Sequence, residues 1–137
     1  MAGVCGSGGF LGVSIPQGNA TFDAATANMG SHWKMPTSDQ CQELINETTP
    51  DWITLNGKNG YKFINKKDST KYIFITTPGY YQNAKLYDSN AQGNYWSTTY
   101  YSFAINSHSP VYLRVQSNAL RNDYTSRYVG LSVRAIQ

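Results

Sequence analysis

Cysteine is nearly absent from this chain. Cys5 and Cys41 are the only two in 137 residues, too few for a disulfide scaffold. Cys41 stands with Leu44 and Ile45 at i, i+3 and i+4, so it reads as a small buried core residue of a helix rather than one end of a bridge to Cys5. Histidine is as scarce, with only His32 and His108. A zinc or iron site needs clustered His, Cys or carboxylate ligands, so neither metal nor cofactor is expected. Charge is sparse too: 14% of residues are charged, the net charge is +3, and no lysine run exceeds Lys66-Lys67. A nucleic-acid partner would require a denser basic patch interleaved with stacking aromatics, and none is expected. No apolar run reaches the length of a membrane span, so no membrane insertion by this chain is expected. The start, Met1 to Gly12, is Gly-rich without a basic segment. It reads as a flexible linker of a longer protein rather than a secretory leader.

What is present suits one folded domain over residues 13–137, with 40% hydrophobic and 14% aromatic residues. Phe22 to Met29 reads as a short helix capped by Thr21 or Asp23 and ended by Gly30. Thr37 or Ser38 can cap a second helix reaching Asn46. Gly12 to Pro16 could make a short strand. From Trp52 the period changes to two. Trp52 to Leu55 and Tyr61 to Asn65 are strands around the turn signals Asn56-Gly57 and Asn59-Gly60. The near-continuous apolar run Tyr72 to Ile75 reads as a central strand. A loop carrying Tyr80, Tyr81 and Tyr87 leads to Gly93–Thr98, and Val111–Gln116 and Gly130–Ile136 would be the final strands. The expected core is Trp33, Leu44, Ile45, Trp52, Phe63, Ile73, Ile75, Trp96, Leu113, Val115, Leu131 and Val133.

The last third uses a different alphabet. All lysines lie at or before Lys85, and all arginines lie after it, at Arg114, Arg121, Arg127 and Arg134. Glu47 is the last glutamate and Met35 the last methionine. From Ser97 to Tyr128 the chain is rich in Tyr, Ser and Asn with a few Arg. That is a paratope composition: Tyr gives stiff contact area at low entropy cost, and Ser and Asn give adaptable hydrogen bonds. It points to a binding surface rather than a catalytic centre.

Several short motifs occur together and in order. They are Ala24-Ala25-Thr26-Ala27-Asn28-Met29-Gly30, Trp33-Lys34-Met35-Pro36-Thr37, Glu43-Leu44-Ile45-Asn46, Asn59-Gly60-Tyr61-Lys62-Phe63, Tyr95-Trp96-Ser97-Thr98 and Gly130-Leu131-Ser132-Val133-Arg134. In these the chain resembles Bacteroides and Fibrobacter surface domains of C-type lectin-like fold, which is shared with the formylglycine-generating enzyme superfamily. Within that group it is most similar to the variable protein of a diversity-generating retroelement. The resemblance implies an α+β C-type lectin-like fold: two short helices packed on a twisted antiparallel sheet with long loops. It also implies that adenines in the C-terminal codons are randomised. Mutated AAY codons cannot give Lys, Glu, Gln, Met or Trp, and from Ser97 to Tyr128 only Gln116 departs from that rule.

The diversified segment is then expected at about 94–129. Its ligand-binding positions would be Tyr100, Tyr101, Ser102, Phe103, Ile105, Asn106, Ser107, His108, Tyr112, Arg114, Arg121, Asp123, Tyr124, Ser126, Tyr128 and Val129. On a strand Leu113 and Val115 face the core, while Tyr112, Arg114 and Gln116 face solvent. Tyr100, Tyr101, Tyr112, Arg114, Arg121, Tyr124 and Tyr128 are expected to form one contiguous exposed patch. The partner would be a protein or glycan receptor on another cell or particle. The domain would sit on a phage tail or a bacterial surface, outside the cell.

Two other functions compete with this one, a non-diversified structural or adhesive surface domain and an enzyme of the formylglycine-generating superfamily. The enzyme needs a reactive cysteine in its C-terminal half, and both cysteines here lie N-terminal of that. Ser97 or Ser102 with His108 would be a nucleophile pair lacking an acid to orient its base. Calcium needs several hard oxygens, and Asp123 is the sole acid between Trp96 and Arg134. No enzymatic activity is expected.

Overall fold

The computed structural model describes residues 14–104 and 107–137, the side chains of 103, 104, 107 and 108 excepted. The described chain is a mixed α+β fold with two helices and mostly antiparallel sheets. Helix α1 is Ala24–Met29, started by Asp23, whose carboxylate accepts from the amides of Ala25 and Thr26. Asp23 is fully buried and also accepts from the amides of Gly18 and Met35, so its charge meets four N–H donors. Gly30, at φ 94°, ends the helix in a conformation that favours glycine. Helix α2 is Ser38–Glu47. Thr37 and Gln40 close a reciprocal capping box at its start, with bonds of 3.1 and 2.9 Å.

The first sheet has strand order β1-β2-β3, with β1 Thr48–Leu55, β2 Lys58–Asn65 and β3 Tyr72–Thr76. Asn56 and Gly57, at φ 51° and 75°, make the tight β1–β2 turn, the backbone that Asn-Gly favours. Strand β3 is therefore an edge strand, not the central one its apolar run suggests, and Ile73 is 41% exposed. A hairpin of β4 Tyr80–Gln82 and β5 Lys85–Tyr87 replaces the expected loop. The third sheet is β6 Gln92–Ala104, β7 Ser107–Gln116 and β8 Ala119–Tyr124, in that order. The described part of Gly12–Pro16 forms no strand, although the Ile15 amide donates to the Thr98 carbonyl. Gly130–Ile136 is no strand either. It makes only isolated bridges to Tyr81, Tyr95 and Lys34.

Alternate residues of β6 and β7 feed two separate cores. Tyr95 pairs with Leu113, and Trp96 with Tyr112. Tyr95, Leu113 and Val115 pack with Cys41, Phe63 and Ile75 under α2 and the first sheet. Trp96 and Tyr112 pack with Ala25, Met35, Val129 and Leu131 under α1 and the C-terminal segment. Phe63, Ile75, Trp96, Leu113, Val115 and Leu131 are buried as expected, while Trp33, Leu44, Ile45, Trp52 and Val133 are half-buried. Gly93 lets the first and third sheets meet: a Cβ there would stand 2.6 Å from the Thr76 carbonyl oxygen. The Tyr95 hydroxyl seals this seam by donating to that carbonyl at 2.7 Å.

Candidate binding site

Register places the polar end of one sheet face in view. Gln92, Gln116 and Ala119 lie side by side, then Asn94, Arg114 and Arg121, then Trp96, Tyr112 and Asp123. Paired residues point to the same side of a sheet, so these share a face. Arg114 organises it. Its guanidinium donates to Gln116 Oε1 at 3.2 and 3.0 Å, to Gln92 Oε1 at 3.3 Å and to Asp123 Oδ2 at 3.3 Å. Arg121 reaches the same Asp123 oxygen at 3.5 Å. Gln92, itself buried, passes the network on to Asn94 at 2.9 Å. Tyr112 sits at its inner end, where burial, and then the negative charge of Asp123, push its phenol above the ordinary range.

The network forms one side of a polar recess of about 360 Å³. The β4–β5 hairpin supplies Tyr80 and Gln82, and Asp88 follows it. The hairpin is held in place from two directions. Tyr81 and Gly130 exchange backbone bonds of 2.8 and 2.7 Å, and the Gly79 amide donates to the Gln92 carbonyl at 2.7 Å. Tyr80 stacks on Tyr87 with ring centres 5.6 Å apart. Burial, and then the charge of Asp88, raise the Tyr80 phenol as well. Ser126 and Tyr128 form the outer lip of the recess, and Tyr112 and Val129 lie deeper. Reading this hairpin as a loop missed Tyr80, Gln82 and Asp88. The available signal was the Pro78-Gly79 break followed by two short runs around Asn83-Ala84.

Tyr101, Ser102, Arg121, Tyr124, Ser126 and Tyr128 are exposed, and Tyr100, Arg114 and Asp123 half-buried. Tyr112 and Val129, expected on the surface, are buried at 7% and 6% exposure. The reason is that α1 and the C-terminal segment cover this face, and Tyr112 meets Trp96 edge-on at 6.4 Å. Only the backbone is described at Phe103, Ser107 and His108, and Ile105 and Asn106 lie outside the described residues. The expected single patch divides in two. Tyr124 pairs with Val111, and Tyr101 with Ser109, so both point to the α2 side of the sheet, away from Arg114. There their rings stack 5.7 Å apart. On the Arg114 side, Arg127 lies over the Tyr100 ring at 5.4 Å. The displayed side chains thus wrap around β8, which pairs only with β7 among the described residues.

A second, apolar cleft of about 600 Å³ lies between α2, β3 and the last residues, and no sequence-predicted site residue lines it. Its wall includes Cys41, whose thiol burial pushes up to about 12. Among the described residues no group of three His, Cys, Asp or Glu could hold a metal ion, and no helix is long and apolar enough to cross a membrane. No family model, curated protein or solved structure matches the chain.

Proposed function

We propose that this is a ligand- or receptor-binding domain of C-type lectin-like fold, without catalytic activity, whose C-terminal surface is diversified by a retroelement. It is displayed on a phage tail or a bacterial surface and binds a receptor on another cell or particle. The observation that carries the reading is the coincidence of alphabet and exposure. Tyr101, Tyr124 and Tyr128, from separate parts of the Tyr/Ser/Asn-rich segment, are 51%, 50% and 66% exposed around one edge strand. Leu113 and Val115, between them in sequence, stay apolar and buried. Exposed tyrosine and arginine are the residues that dominate interface hot spots, and a rigid sheet lets them vary at little cost in stability. Ser97 supports a non-catalytic reading: it is buried, and its hydroxyl donates to the Val111 carbonyl at 2.7 Å.

Sequencing this gene and its flanking DNA from independent isolates tests the proposal. The expected result is substitution concentrated in codons 94–129, at adenines, with a near-repeat beside a reverse-transcriptase gene. Variation spread evenly along the gene, with no near-repeat, would leave a non-diversified adhesive domain as the reading.

A further inference from the structure

The third sheet has two edges, and they are treated differently. Along the outer edge of β6, the Gly79 amide donates to Gln92, the Ser132 amide to Asn94 and the Ile15 amide to Thr98. The Trp96 and Thr98 amides donate outward to Ser132 and Pro36. The outer edge of β8 has no such backbone partners among the described residues. Register decides which of its groups point outward. Gln116 and Ala119 pair across the turn at Ser117-Asn118, and in the same register the Thr125 amide donates to the Pro110 carbonyl at 3.2 Å. Antiparallel strands alternate, residue by residue, between bonding one neighbour and the other. The odd-numbered residues of β8 therefore bond to β7, and the main-chain groups of Leu120, Asn122 and Tyr124 point away from it. The Tyr124 amide donates to Asp123 Oδ1 at 3.0 Å, which draws that carboxylate over the edge.

Natural sheets blunt an open edge with lysine, proline or a bulge. Strand β1, at the edge of the first sheet, carries Pro50 and Asp51. Strand β8, Ala-Leu-Arg-Asn-Asp-Tyr, has neither lysine nor proline, and its register with β7 is unbroken. The order of its side chains says what the edge accepts. If β8 lies antiparallel to β8 of a second copy, with Asn122 on the twofold axis, Arg121 stands opposite the partner's Asp123. Leu120 then stands opposite the partner's Tyr124. The outward main-chain groups face each other, and no like charges are opposed. An axis at Arg121 or Asp123 would oppose like charges and turn the main-chain groups apart, and one at Leu120 or Tyr124 would shorten the overlap. Arg121 is suited to this pairing: its side chain is 59% exposed, and it shares Asp123 Oδ2 with Arg114 at 3.5 and 3.3 Å. Across the axis it meets a second carboxylate, while Arg114, one strand further in, keeps the first.

We propose that β8 pairs with β8 of a second copy of this chain, joining two third sheets into one continuous sheet about an axis at Asn122. The pairing goes beyond the proposed function and stands without it. An axis perpendicular to the sheet leaves the Arg114 faces of both copies on the same side. Two recesses, each with its Tyr128 lip, then face one way, and a receptor repeated on a surface is held at two points.

The test is sedimentation equilibrium of the full chain in reductant, up to about 1 mM, beside amide hydrogen exchange at low and high concentration. The expected result is a reversible monomer–dimer equilibrium with a dissociation constant on the order of 100 µM, as suits an interface of one strand pair. The Leu120 and Asn122 amides should become protected as concentration rises. Leu120→Pro removes an outward donor at a sheet edge, where proline is tolerated, and should weaken the dimer roughly tenfold or more. Arg121→Glu sets like charges opposite each other twice and should also weaken it roughly tenfold. Arg127→Glu makes the same change of charge off the strand and should leave the dimer unchanged. The proposal is overturned if the chain stays monomeric at about 1 mM. It is also overturned if Arg121→Glu dimerises as well as the parent chain, if Arg127→Glu weakens the dimer equally, or if protection rises away from β8. Should Leu120→Pro unfold the chain, the two charge variants and the exchange pattern still decide.

Discussion

Serine at Tyr112 and serine at Tyr128 should have opposite consequences, although both positions fall in the same Tyr-rich segment. Tyr112 is 7% exposed and packs edge-on against Trp96 with Val129 and Leu131 around it, whereas Tyr128 is 66% exposed. A buried aromatic ring removes about 200 Å² from water, which at about 25 cal/mol per Å² is about 5 kcal/mol. Truncations of core aromatics cost about 3–5 kcal/mol when partial collapse of the cavity is included, so Tyr112→Ser should cost about 4 kcal/mol. That is a large part of the roughly 5–15 kcal/mol that holds a domain together. Tyr101→Ser, Tyr124→Ser and Tyr128→Ser combined should stay within about 1 kcal/mol, as expected of surface changes. Urea unfolding followed by tryptophan fluorescence separates the two cases. With a slope of about 2 kcal/mol per M, Tyr112→Ser moves the midpoint down by about 2 M. A shift below about 0.5 M for Tyr112→Ser, or one above about 1 M for the triple variant, would refute the division into core and displayed tyrosines.

Arg114→Met should cost about 2 kcal/mol, because it strands the buried Gln92 acceptor and half of the Asp123 pairing. Arg121→Met, at 59% side-chain exposure, should be nearly neutral in the same unfolding assay. Cys41 should resist thiol reagents at pH 8 in a Cys5→Ser background until the chain is unfolded, since its thiol is raised to about 12. The linkage has a definite sign. The unfolded thiol ionises first, near 9.0, so Cys41's contribution is full below pH 9 and declines as pH rises toward 12. At pH 10.5 about 2 kcal/mol of it is gone, which Cys41→Ala should reveal as a shallower alkaline loss of stability. Chelators should leave the melting temperature unchanged, and a drop restored by calcium or zinc would reveal a metal site.

Local signals in the sequence carried much of the fold. Thr37 with Gln40, Asp23 before its short helix, and Asn56-Gly57 each act through neighbours a few residues away, so they could be read without knowing the tertiary structure. The alternation of Leu113 and Val115 was legible for the same reason. What failed depended on layers. Tyr112 obeys the alternation but is buried, because a second core covers the side that a one-faced sheet would leave open. Ile73 sits in an apolar run but at a sheet edge, where strand order rather than composition decides its exposure. Strand β8, Ala-Leu-Arg-Asn-Asp-Tyr, has no clear hydrophobic period. It forms because Gln116 and Ala119 pair across a tight turn and the edge of β7 is there to be paired. The sequence offered candidate residues for a site but neither the Tyr80–Asp88 side of the recess nor the arrangement of the rest. The two-sided division of Tyr101 and Tyr124 from Arg114 follows from pairing partners far along the chain.

The double duty of β7 limits what kind of change the segment around it can absorb. Its odd and even residues belong to different interiors, so exchanging one side chain for another disturbs at most one of them. Adding or deleting a single residue between Tyr112 and Gln116 disturbs both at once: the half-turn of the strand would carry a guanidinium toward Phe63 and a leucine toward Gln92. Heredity can therefore rewrite this stretch letter by letter but cannot change its length. Natural variants of the chain should keep the spacing from Tyr112 to Gln116 wherever the third sheet survives, and place any change of length in the turns outside it.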